Sequence, residues 1–257
     1  MSGFTVIVPA FGAVRTLERC LLSVIANSGP AHTVLLADDA SPADPFDGLI
    51  VKLRGALGER FQSVRRDVNL GFVGNVNLAM ADTWGDVVLL NSDTVVTPGW
   101  LERLEEAFAS DPRIATATPW SNNAEICSIP DFCRSNVLPS DAATWAEAAL
   151  QAGPPCYPDL PTGVGFCMAI RRAAWDEVGD FDQATFGRGY GEENDFCLRA
   201  AGHGWRNVVP GGVTLARLLA RCPDYNRQVA EFIMADPLRA RREAIVARYH
   251  QLSGRVS

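Results

Sequence analysis

The sequence predicts an α/β fold in which a mostly parallel sheet is flanked by helices. Short apolar runs typical of buried strands alternate along the chain with stretches whose apolar residues recur at helical spacing. The clearest strand is Val87–Leu90, whose consecutive apolar residues indicate burial on both faces, as in a parallel sheet. At 257 residues, the chain has the length of one large α/β domain or of a domain with a small appendage.

The first half of the chain contains the regular alternation. A β-branched run at residues 4–8 stops at Pro9, which ends the first strand. Leu17, Leu21 and Val24 then follow with the spacing of a helix. The same two patterns predict strands at residues 33–37, 61–64, 87–90 and 114–118, and helices at residues 17–27, 49–57, 73–81 and 100–109.

The second half is less regular. Residues 119–161 are rich in Pro, Asn, Ser and Cys, and we expect an insertion over one edge of the sheet, with a helix at 142–152. A glycine-punctuated strand at 162–171 is expected to pass close to a ligand. The remaining predicted elements are a helix at 174–178, a glycine-rich loop at 181–191, a helix at 192–201, a strand at 208–210, and tail helices at 225–235 and 237–251. We expect one domain at 1–213 and a helical tail at 214–257, with the tail arginines on a solvated face.

Composition excludes several classes of protein. Hydrophobic residues make up 47% of the chain and charged residues 21%, which is typical of a globular protein. A net charge of −7 argues against a nucleic-acid binder, which would carry a basic face. The 7 cysteines form no CxxC pair and indicate reduced thiols. With no basic leader and no apolar run of membrane-spanning length, the sequence predicts a cytoplasmic protein without a transmembrane segment.

The first polar cluster, Asn91-Ser92-Asp93, directly follows the strand Val87–Leu90. Polar groups at the carboxyl end of such a strand face the ligand crevice of an open α/β sheet. A carboxylate there can hold a hard divalent cation, whose remaining ligands are waters and substrate phosphates. The alternative is that these residues simply start the helix predicted from Trp100.

The second cluster is Asp38-Asp39, at the end of the strand at 33–37. Neighbouring parallel strands present their carboxyl ends together, so these aspartates and Pro9-Ala10 should flank the same crevice. An aspartate there could accept hydrogen bonds from a nucleobase imide or from ribose hydroxyls. The alternative is a turn, because Asp-Asp-x-Ser is also a good turn sequence.

The third cluster is Glu192-Glu193-Asn194-Asp195, after glycines at positions 187, 189 and 191. Adjacent carboxylates repel, and this crowding raises the pKa of at least one of them. A raised pKa suits a general base. The alternative is that the acidic residues only complement the dipole at the start of a helix.

Together, these clusters resemble the family-2 glycosyltransferases, which are inverting enzymes of the GT-A fold that use nucleotide-diphosphate sugars. The resemblance covers about the first 210 residues and rests on six motifs in the family's order. They are Val6-Ile7-Val8-Pro9-Ala10, Asp38-Asp39-Ala40-Ser41, Asn69-Leu70-Gly71-Phe72 with Asn75 and Asn77, Asn91-Ser92-Asp93, Thr162-Gly163 to Arg171-Arg172, and Glu192-Glu193-Asn194-Asp195-Phe196-Cys197-Leu198-Arg199.

The resemblance implies a role for each matching position. Asp93 would be the ligand of Mg²⁺ or Mn²⁺, and Glu193 the catalytic base, with Glu192 and Asp195 beside it. Gly163 and Gly191 would border the sugar and the acceptor. The implied nucleotide-binding residues are Pro9, Ala10, Asp38, Asp39, Asn69, Gly71, Asn77, Asn91 and Ser92.

Three positions depart from the family's pattern. Asn91 stands where an Asp is often found, and Glu193 adds a methylene to the usual Asp. Family members commonly carry a histidine in a flexible loop after the last strand, but Val208 to Val213 continues here into an apolar segment. Neither His203 nor His250 occupies that place; we expect His203 at a helix end.

The resemblance implies an inverting, metal-assisted transfer of a sugar from a nucleotide-diphosphate sugar to a saccharide, lipid-linked or other hydroxyl acceptor. The alternative, favoured by the three departures, is a non-catalytic nucleotide-sugar-binding or partner subunit that retains the fold. A nucleotidyltransferase would need a basic, glycine-rich phosphate loop after the first strand, which Ala10 to Val14 does not supply.

Overall fold

The computed structural model describes residues 3–42, 46–136, 142–210 and 235–254. These residues contain one seven-stranded sheet. Its strands are β1 (Thr5–Ala10), β2 (Thr33–Asp38), β3 (Phe61–Arg65), β4 (Val87–Leu90), β5 (Ile114–Ala117), β6 (Cys167–Ile170) and β7 (Arg206–Val208). The spatial order is β3-β2-β1-β4-β6-β5-β7.

The sheet is parallel except at one strand. β1 pairs in parallel with β2 and β4, β2 with β3, and β5 with β7, whereas β6 runs antiparallel to both β4 and β5. The predicted α/β class with a mostly parallel sheet is therefore confirmed. The strand predicted at 162–171 is shorter than expected, because residues 162–166 form an irregular approach to β6.

Helices cover both faces of the sheet. They are α1 (Val14–Asn27), α2 (Asp47–Leu57), α3 (Gly71–Ala81), α4 (Trp100–Ser110), α5 (Ala142–Gln151), α6 (Arg172–Val178), α7 (Gln183–Phe186), α8 (Glu192–Gly202) and α9 (Arg239–Ser253). Within the described residues, the predicted helices agree with these bounds to within a few positions. Single 3-10 turns lie at Gly58–Arg60 and Glu125–Cys127.

Alternating residues of β1 fill the two halves of the core. Val6 and Val8 pack on one side of the sheet with α1, α2 and α4, while Ile7 packs on the other side with residues of α3 and α8. Each of these three side chains is fully buried. Central strands buried on both faces leave only their ends free to contact a ligand, and this places the site at the carboxyl edge of the sheet.

The tail helix α9 packs on α5 of the insertion. The rings of Trp145 and Tyr249 stack with centroids 4.1 Å apart. Arg242 is buried, pairs with Asp236 and lies over the ring of Phe132. The expectation that the tail arginines lie on a solvated face is therefore wrong for Arg242, because a partner carboxylate and an aromatic face offset its burial.

Some predictions fall outside the described residues. Almost all of the helix predicted at 225–235 lies outside them. The expected boundary between the domain and the tail, between residues 213 and 214, lies outside them as well. The segment after β7 in which the family carries a histidine also lies there. His203, by contrast, lies at the end of α8, as expected, and its Nδ1 is 3.0 Å from Glu177.

Candidate active site

The ends of β1 and β2 form one side of a crevice. Ala10 pairs with Asp38 across the two strands, and the Ala10 carbonyl accepts a hydrogen bond from the Asp39 amide at 2.9 Å. Pro9 lies one residue earlier, opposite Ala37. The sequence thus correctly places Pro9, Ala10 and the two aspartates side by side.

The two aspartates make different internal contacts. Asp38 accepts a hydrogen bond from the Ser41 amide at 2.9 Å and pairs with Arg65 at 2.6 Å, so it shapes the loop after β2. Asp39 accepts hydrogen bonds from the amides of Leu70 at 2.7 Å and Gly71 at 2.9 Å. Both carboxylates are buried. Each oxygen of a carboxylate has two lone pairs, so Asp39 retains acceptor capacity for a ligand.

The loop at residues 69–71 joins this crevice to the segment before α8. The Asn69 side chain donates to the Asp39 carbonyl at 3.0 Å and accepts a hydrogen bond from Arg188. Gly71 has a φ of +76°, and an added Cβ would lie 2.8 Å from the Arg188 Cα. Glycine is needed here both for the backbone conformation and for the close approach.

The side chain of Asn77 has a structural contact. Its Nδ2 donates to the Phe181 carbonyl at 2.9 Å, and its Oδ1 accepts a hydrogen bond from the Phe181 amide at 3.2 Å. This pair of bonds anchors the chain after α6 to α3. These bonds give the Asn77 side chain a structural role, and its implied place beside the ribose-diphosphate stays a prediction.

The end of β4 forms the opposite side of the crevice. The Asn91 amide donates to the Phe166 carbonyl at 2.7 Å, and the Thr94 amide closes a turn through Ser92 and Asp93 by donating to the Asn91 carbonyl at 3.0 Å. Asp93 is exposed. The described residues contain no group of three or more His, Cys, Asp or Glu that could hold a metal ion.

Asp93 nevertheless fits one kind of metal site. An exposed single carboxylate at a strand end suits a hard cation that keeps several waters and takes its other ligands from a bound diphosphate. It does not suit a closed structural site, which needs its full set of protein ligands. The neutral Asn91 beside it is a weaker ligand for such a cation.

A cavity of about 200 Å³ lies between the end of β4 and the start of α8. It brings together Asn91 from the first polar cluster and two residues from the third, Glu192 and Glu193. Aromatic rings, glycines and one arginine complete it. The lining residues are Phe72, Asn91, Gly165, Phe166, Arg188, Gly189, Tyr190, Glu192 and Glu193.

Glu193 is the most strongly perturbed carboxyl group of the cavity. It is 3% exposed, and its Oε2 has no hydrogen-bond partner among the described residues. Burial raises the pKa of Glu193 to about 8, and the neighbouring Glu192 adds to the increase. Backbone amides at Gly165, Gly191 and Glu193 itself act in the opposite direction. The sequence predicted a raised pKa from crowding, but burial makes the larger contribution.

Glu192 shares these properties. It is also 3% exposed, its Oε2 also lacks a described partner, and burial raises its pKa. A residue that only complements a helix dipole gains nothing from burial, since the dipole also acts on exposed carboxylates. The burial of both groups therefore favours a role in the cavity over the dipole alternative.

Asp195 lies outside the cavity. Its Oδ2 accepts a hydrogen bond from Arg199 Nε at 2.7 Å, and Arg199 also donates to the carbonyl oxygens of Val178 and Asp180. Gly191, with a φ of +104°, precedes α8. Of the three acidic residues predicted at this helix start, the structure thus brings two into the cavity.

The glycine that borders Glu193 is Gly165, whereas the implied place of Gly163 beside the sugar and the acceptor stays a prediction. An added Cβ at position 165 would lie 2.3 Å from Glu193 Oε1. Gly163 instead packs against Met168 and Thr118, and its amide donates to Cys197 Sγ at 3.1 Å. Sequence reasoning found the glycine-punctuated segment but could not tell which glycine faces the acid. It also missed the aromatic lining and Arg188, for which the sequence offers only the glycine-rich loop as a signal.

Most of the sequence matches a known family model. The model described as "Glycosyl transferase family 2" matches residues 5–179. The chain belongs to this family. The matched residues include both sides of the crevice but end before α8. In this glycosyltransferase, the carboxyl groups of Glu192 and Glu193 are therefore assigned to the candidate site by their geometry and not by the family match.

Relatives and solved structures agree with this membership. The glycosyltransferase is 28% identical over 230 residues to the N-acetylglucosaminyl-diphospho-decaprenol L-rhamnosyltransferase of Mycobacterium tuberculosis, an alignment covering 77% of this chain and 71% of the relative. Its fold resembles GalNAc-T7 with UDP, GalNAc and Mn²⁺ (TM-score 0.63, 16% identity, 86% of this chain and 45% of that chain). It also resembles the mannosyltransferase PcManGT from Pyrobaculum calidifontis with GDP-Man and Mn²⁺ (TM-score 0.58, 17% identity, 99% of this chain and 64% of that chain).

The GT-A fold and the glycosyltransferase class expected from the sequence are therefore confirmed. The chain is an enzyme of nucleotide-sugar-dependent glycosyl transfer, and the alternative of a non-catalytic subunit is not favoured. None of the described helices is long and apolar enough to cross a membrane.

Proposed function

We propose that this glycosyltransferase moves a sugar from a nucleoside-diphosphate sugar to an acceptor hydroxyl with inversion at C1, using Glu193 as the general base. The observation that carries the proposal is the Glu193 carboxylate, buried at the start of α8 with an unpartnered oxygen lining a cavity. A base needs a pKa near the operating pH, and burial supplies that shift.

The proposed reaction is a single displacement. Glu193 accepts the proton of the acceptor hydroxyl while the acceptor oxygen forms a bond to C1 of the donor sugar. The bond between C1 and the diphosphate oxygen breaks on the opposite face. Inversion follows because attack and departure take place on opposite faces of C1.

The donor would bind along the crevice. In the proposal, Pro9, Ala10 and Asp39 contact the nucleoside, and Asn69 and Gly71 lie toward the diphosphate. Asp38 acts through the loop that it holds with Arg65. Asp93 would hold Mg²⁺ or Mn²⁺, which when bound neutralises charge on the departing diphosphate.

The acceptor is proposed to be a saccharide or a lipid-linked saccharide. This choice is supported by the aromatic and acidic lining of the cavity, together with the relative of M. tuberculosis, whose name describes transfer to a lipid-linked N-acetylglucosaminyl diphosphate. At 28% identity the relative guides the choice of substrates to test first.

A two-stage experiment tests the function. Thermal shift with UDP-GlcNAc, GDP-mannose and dTDP-L-rhamnose, each with and without Mn²⁺, identifies the donor, because a ligand that binds the folded state raises its melting temperature. Transfer of that donor to saccharide and lipid-linked acceptors is then measured for the parent and for Glu193→Gln. Transfer by the parent that the variant loses supports the proposal; equal transfer by both proteins contradicts it.

A further inference from the structure

The carboxylate of Glu192 is a buried acceptor that the proposed reaction does not use. It is 3% exposed, lines the cavity and has an Oε2 atom without a partner among the described residues. A buried acceptor left unpaired destabilises a fold by roughly 1–3 kcal/mol. The unpaired Glu192 carboxylate beside the cavity can accept a hydrogen bond from a ligand that enters the cavity.

The rest of the lining limits what can enter. Phe72 and Tyr190 supply aromatic surface, and Tyr190 is held in the left-handed region with a φ of 78°. An apolar ligand would leave both carboxylates unpaired, and a phosphate placed between them would meet like charge. A pyranose ring satisfies both features, since its C–H faces pack on aromatic rings and its hydroxyls donate to carboxylates.

Glu192 and Glu193 would contact different hydroxyls. Residues adjacent in an α-helix point about 100° apart around its axis, at 3.6 residues per turn. Glu193 approaches Gly165, whereas Glu192 Oε1 lies 4.0 Å from the position of a Cβ on Gly189, on the side of the loop before α8. The two carboxyl groups still contact each other, so a ligand between them would meet both through neighbouring hydroxyls.

We propose that Glu192 recognises a ring hydroxyl of a pyranose seated against Phe72 and Tyr190, and thereby helps to select the sugar that the enzyme uses. This inference rests on the proposed function and deepens it. Two sources supply the same chemistry: the glycosyl group of the donor and the sugar of the acceptor. Binding and kinetic measurements distinguish them.

The first measurement concerns the donor. Calorimetry with Mn²⁺ compares UDP-GlcNAc, GDP-mannose and dTDP-L-rhamnose with UDP, GDP and dTDP, for the parent, Glu192→Ala and Glu192→Gln. If the donor sugar contacts Glu192, Glu192→Ala loses roughly tenfold to hundredfold in affinity for the nucleotide sugar, the scale of a hydrogen bond to a charged group, and keeps its affinity for the diphosphate.

The second measurement concerns the acceptor. Methyl glycosides of GlcNAc, glucose and mannose, with their monodeoxy analogues, serve as acceptors. If the acceptor sugar contacts Glu192, its KM rises by roughly tenfold to hundredfold in Glu192→Ala, a larger factor than any change in kcat. The parent should also reject one deoxy analogue that the variant no longer distinguishes, because a site built to bind a hydroxyl discriminates against its absence.

Glu102→Gln is the matched control, since Glu102 lies in the first turn of α4, is exposed and does not line the cavity. Glu192→Gln keeps the size of the side chain, and melting temperatures report the fold of every variant. Unchanged sugar affinity, acceptor KM and deoxy discrimination in both Glu192 variants would overturn the inference. The inference would also be overturned if the Glu192 variants lost affinity for the nucleotide sugar and for the nucleoside diphosphate by the same factor. If the parent binds a nucleotide sugar but transfers nothing, the proposed function fails while the donor measurement still decides the role of Glu192.

Discussion

Glu193 Oε1 occupies the space that a side chain on Gly165 would need: an added Cβ there would lie 2.3 Å from the oxygen. The Gly165 amide also interacts with the Glu193 carboxylate. The Glu193 carboxylate is thus held by a backbone that only glycine allows to come so close. Position 165 controls where the carboxylate lies without itself touching the reacting atoms.

We therefore expect Gly165→Ala to displace the Glu193 carboxylate and to lower kcat by more than tenfold, while nucleotide affinity stays within about twofold. Steady-state kinetics with calorimetry check this outcome. Gly55→Ala is the control, because an added Cβ there meets no atom within 4 Å. In the helical context of α2, that change should stabilise the fold by up to about 1 kcal/mol. A Gly165→Ala enzyme with parental kcat would refute the positioning role.

Glu193→Gln should keep donor affinity and lose transfer. The amide is nearly isosteric but cannot take up a proton, and general-base catalysis contributes roughly a hundredfold or more. Single-turnover transfer and donor calorimetry on the same variant separate chemistry from binding. If the variant transfers at the parental rate, the base lies elsewhere; the ion pair with Arg199 argues against Asp195.

The raised pKa of Glu193 predicts opposite effects of pH on activity and stability. Transfer by the parent should rise with pH and level off above about 8, because only the ionised carboxylate accepts a proton. Between the ordinary pKa of 4.5 and about 8, the folded protein binds a proton that the unfolded chain has lost. The stabilising contribution is therefore complete below pH 4.5 and is lost as the pH rises through about 8.

The comparison with Glu193→Gln isolates this effect. The melting temperature of the variant relative to that of the parent should increase from pH 5 to pH 8, since the variant has no charge to bury. Each tenfold difference in proton affinity between the folded and unfolded states corresponds to about 1.4 kcal/mol, so the change accumulates with every pH unit between the two pKa values. A constant difference in melting temperature across this pH range would show that the carboxyl pKa is ordinary.

Asp93→Ala should abolish the Mn²⁺-dependent part of nucleoside-diphosphate binding with little change in stability, because the side chain is exposed. Calorimetry with and without Mn²⁺ measures the first effect and thermal unfolding the second. Asp180→Ala, at another exposed aspartate, serves as the control. Equal metal-dependent affinity in Asp93→Ala and the parent would remove the metal-ligand assignment.

Asp39→Ala should weaken both the nucleotide and the fold. Removal of its carboxylate leaves the amides of Leu70 and Gly71 without their acceptor, which lowers the free energy of unfolding by about 1–3 kcal/mol. Affinity for the nucleoside and for its diphosphate should fall by similar factors, around tenfold for one lost hydrogen bond. Unchanged nucleoside affinity in a destabilised Asp39→Ala protein would leave Asp39 a purely structural role.

The sequence predicted the fold well because strand and helix periods are local properties. The order of Val87–Leu90, the polar strand end and the following helix is encoded within a few residues. Side-chain contacts across the chain are not encoded in this way. The approach of Gly165 to Glu193 and the bonds of Asn77 to Phe181 join residues far apart in sequence, and periodicity does not reveal them.

Burial of charged groups was the other feature beyond sequence reasoning. Arg242 and Glu192 are residue types that normally lie at surfaces, and both are buried for different reasons. Arg242 has a carboxylate and a ring as partners, whereas Glu192 Oε2 has none among the described residues. An unpaired buried carboxylate becomes evident only when the surrounding elements are in place.

The Phe166 carbonyl accepts hydrogen bonds from the Asn91 amide and, at 3.5 Å, from Thr94 Oγ1. Phe166 directly follows Gly165, the glycine in contact with the Glu193 carboxylate. The antiparallel pairing of β4 with β6 thereby fixes the spacing between the two halves of the site through backbone atoms. Chimeras that exchange residues 180–205 for those of a relative should keep this spacing. Protein engineers could thus vary the sugar-facing segment while the backbone spacing set by β4 and β6 is kept.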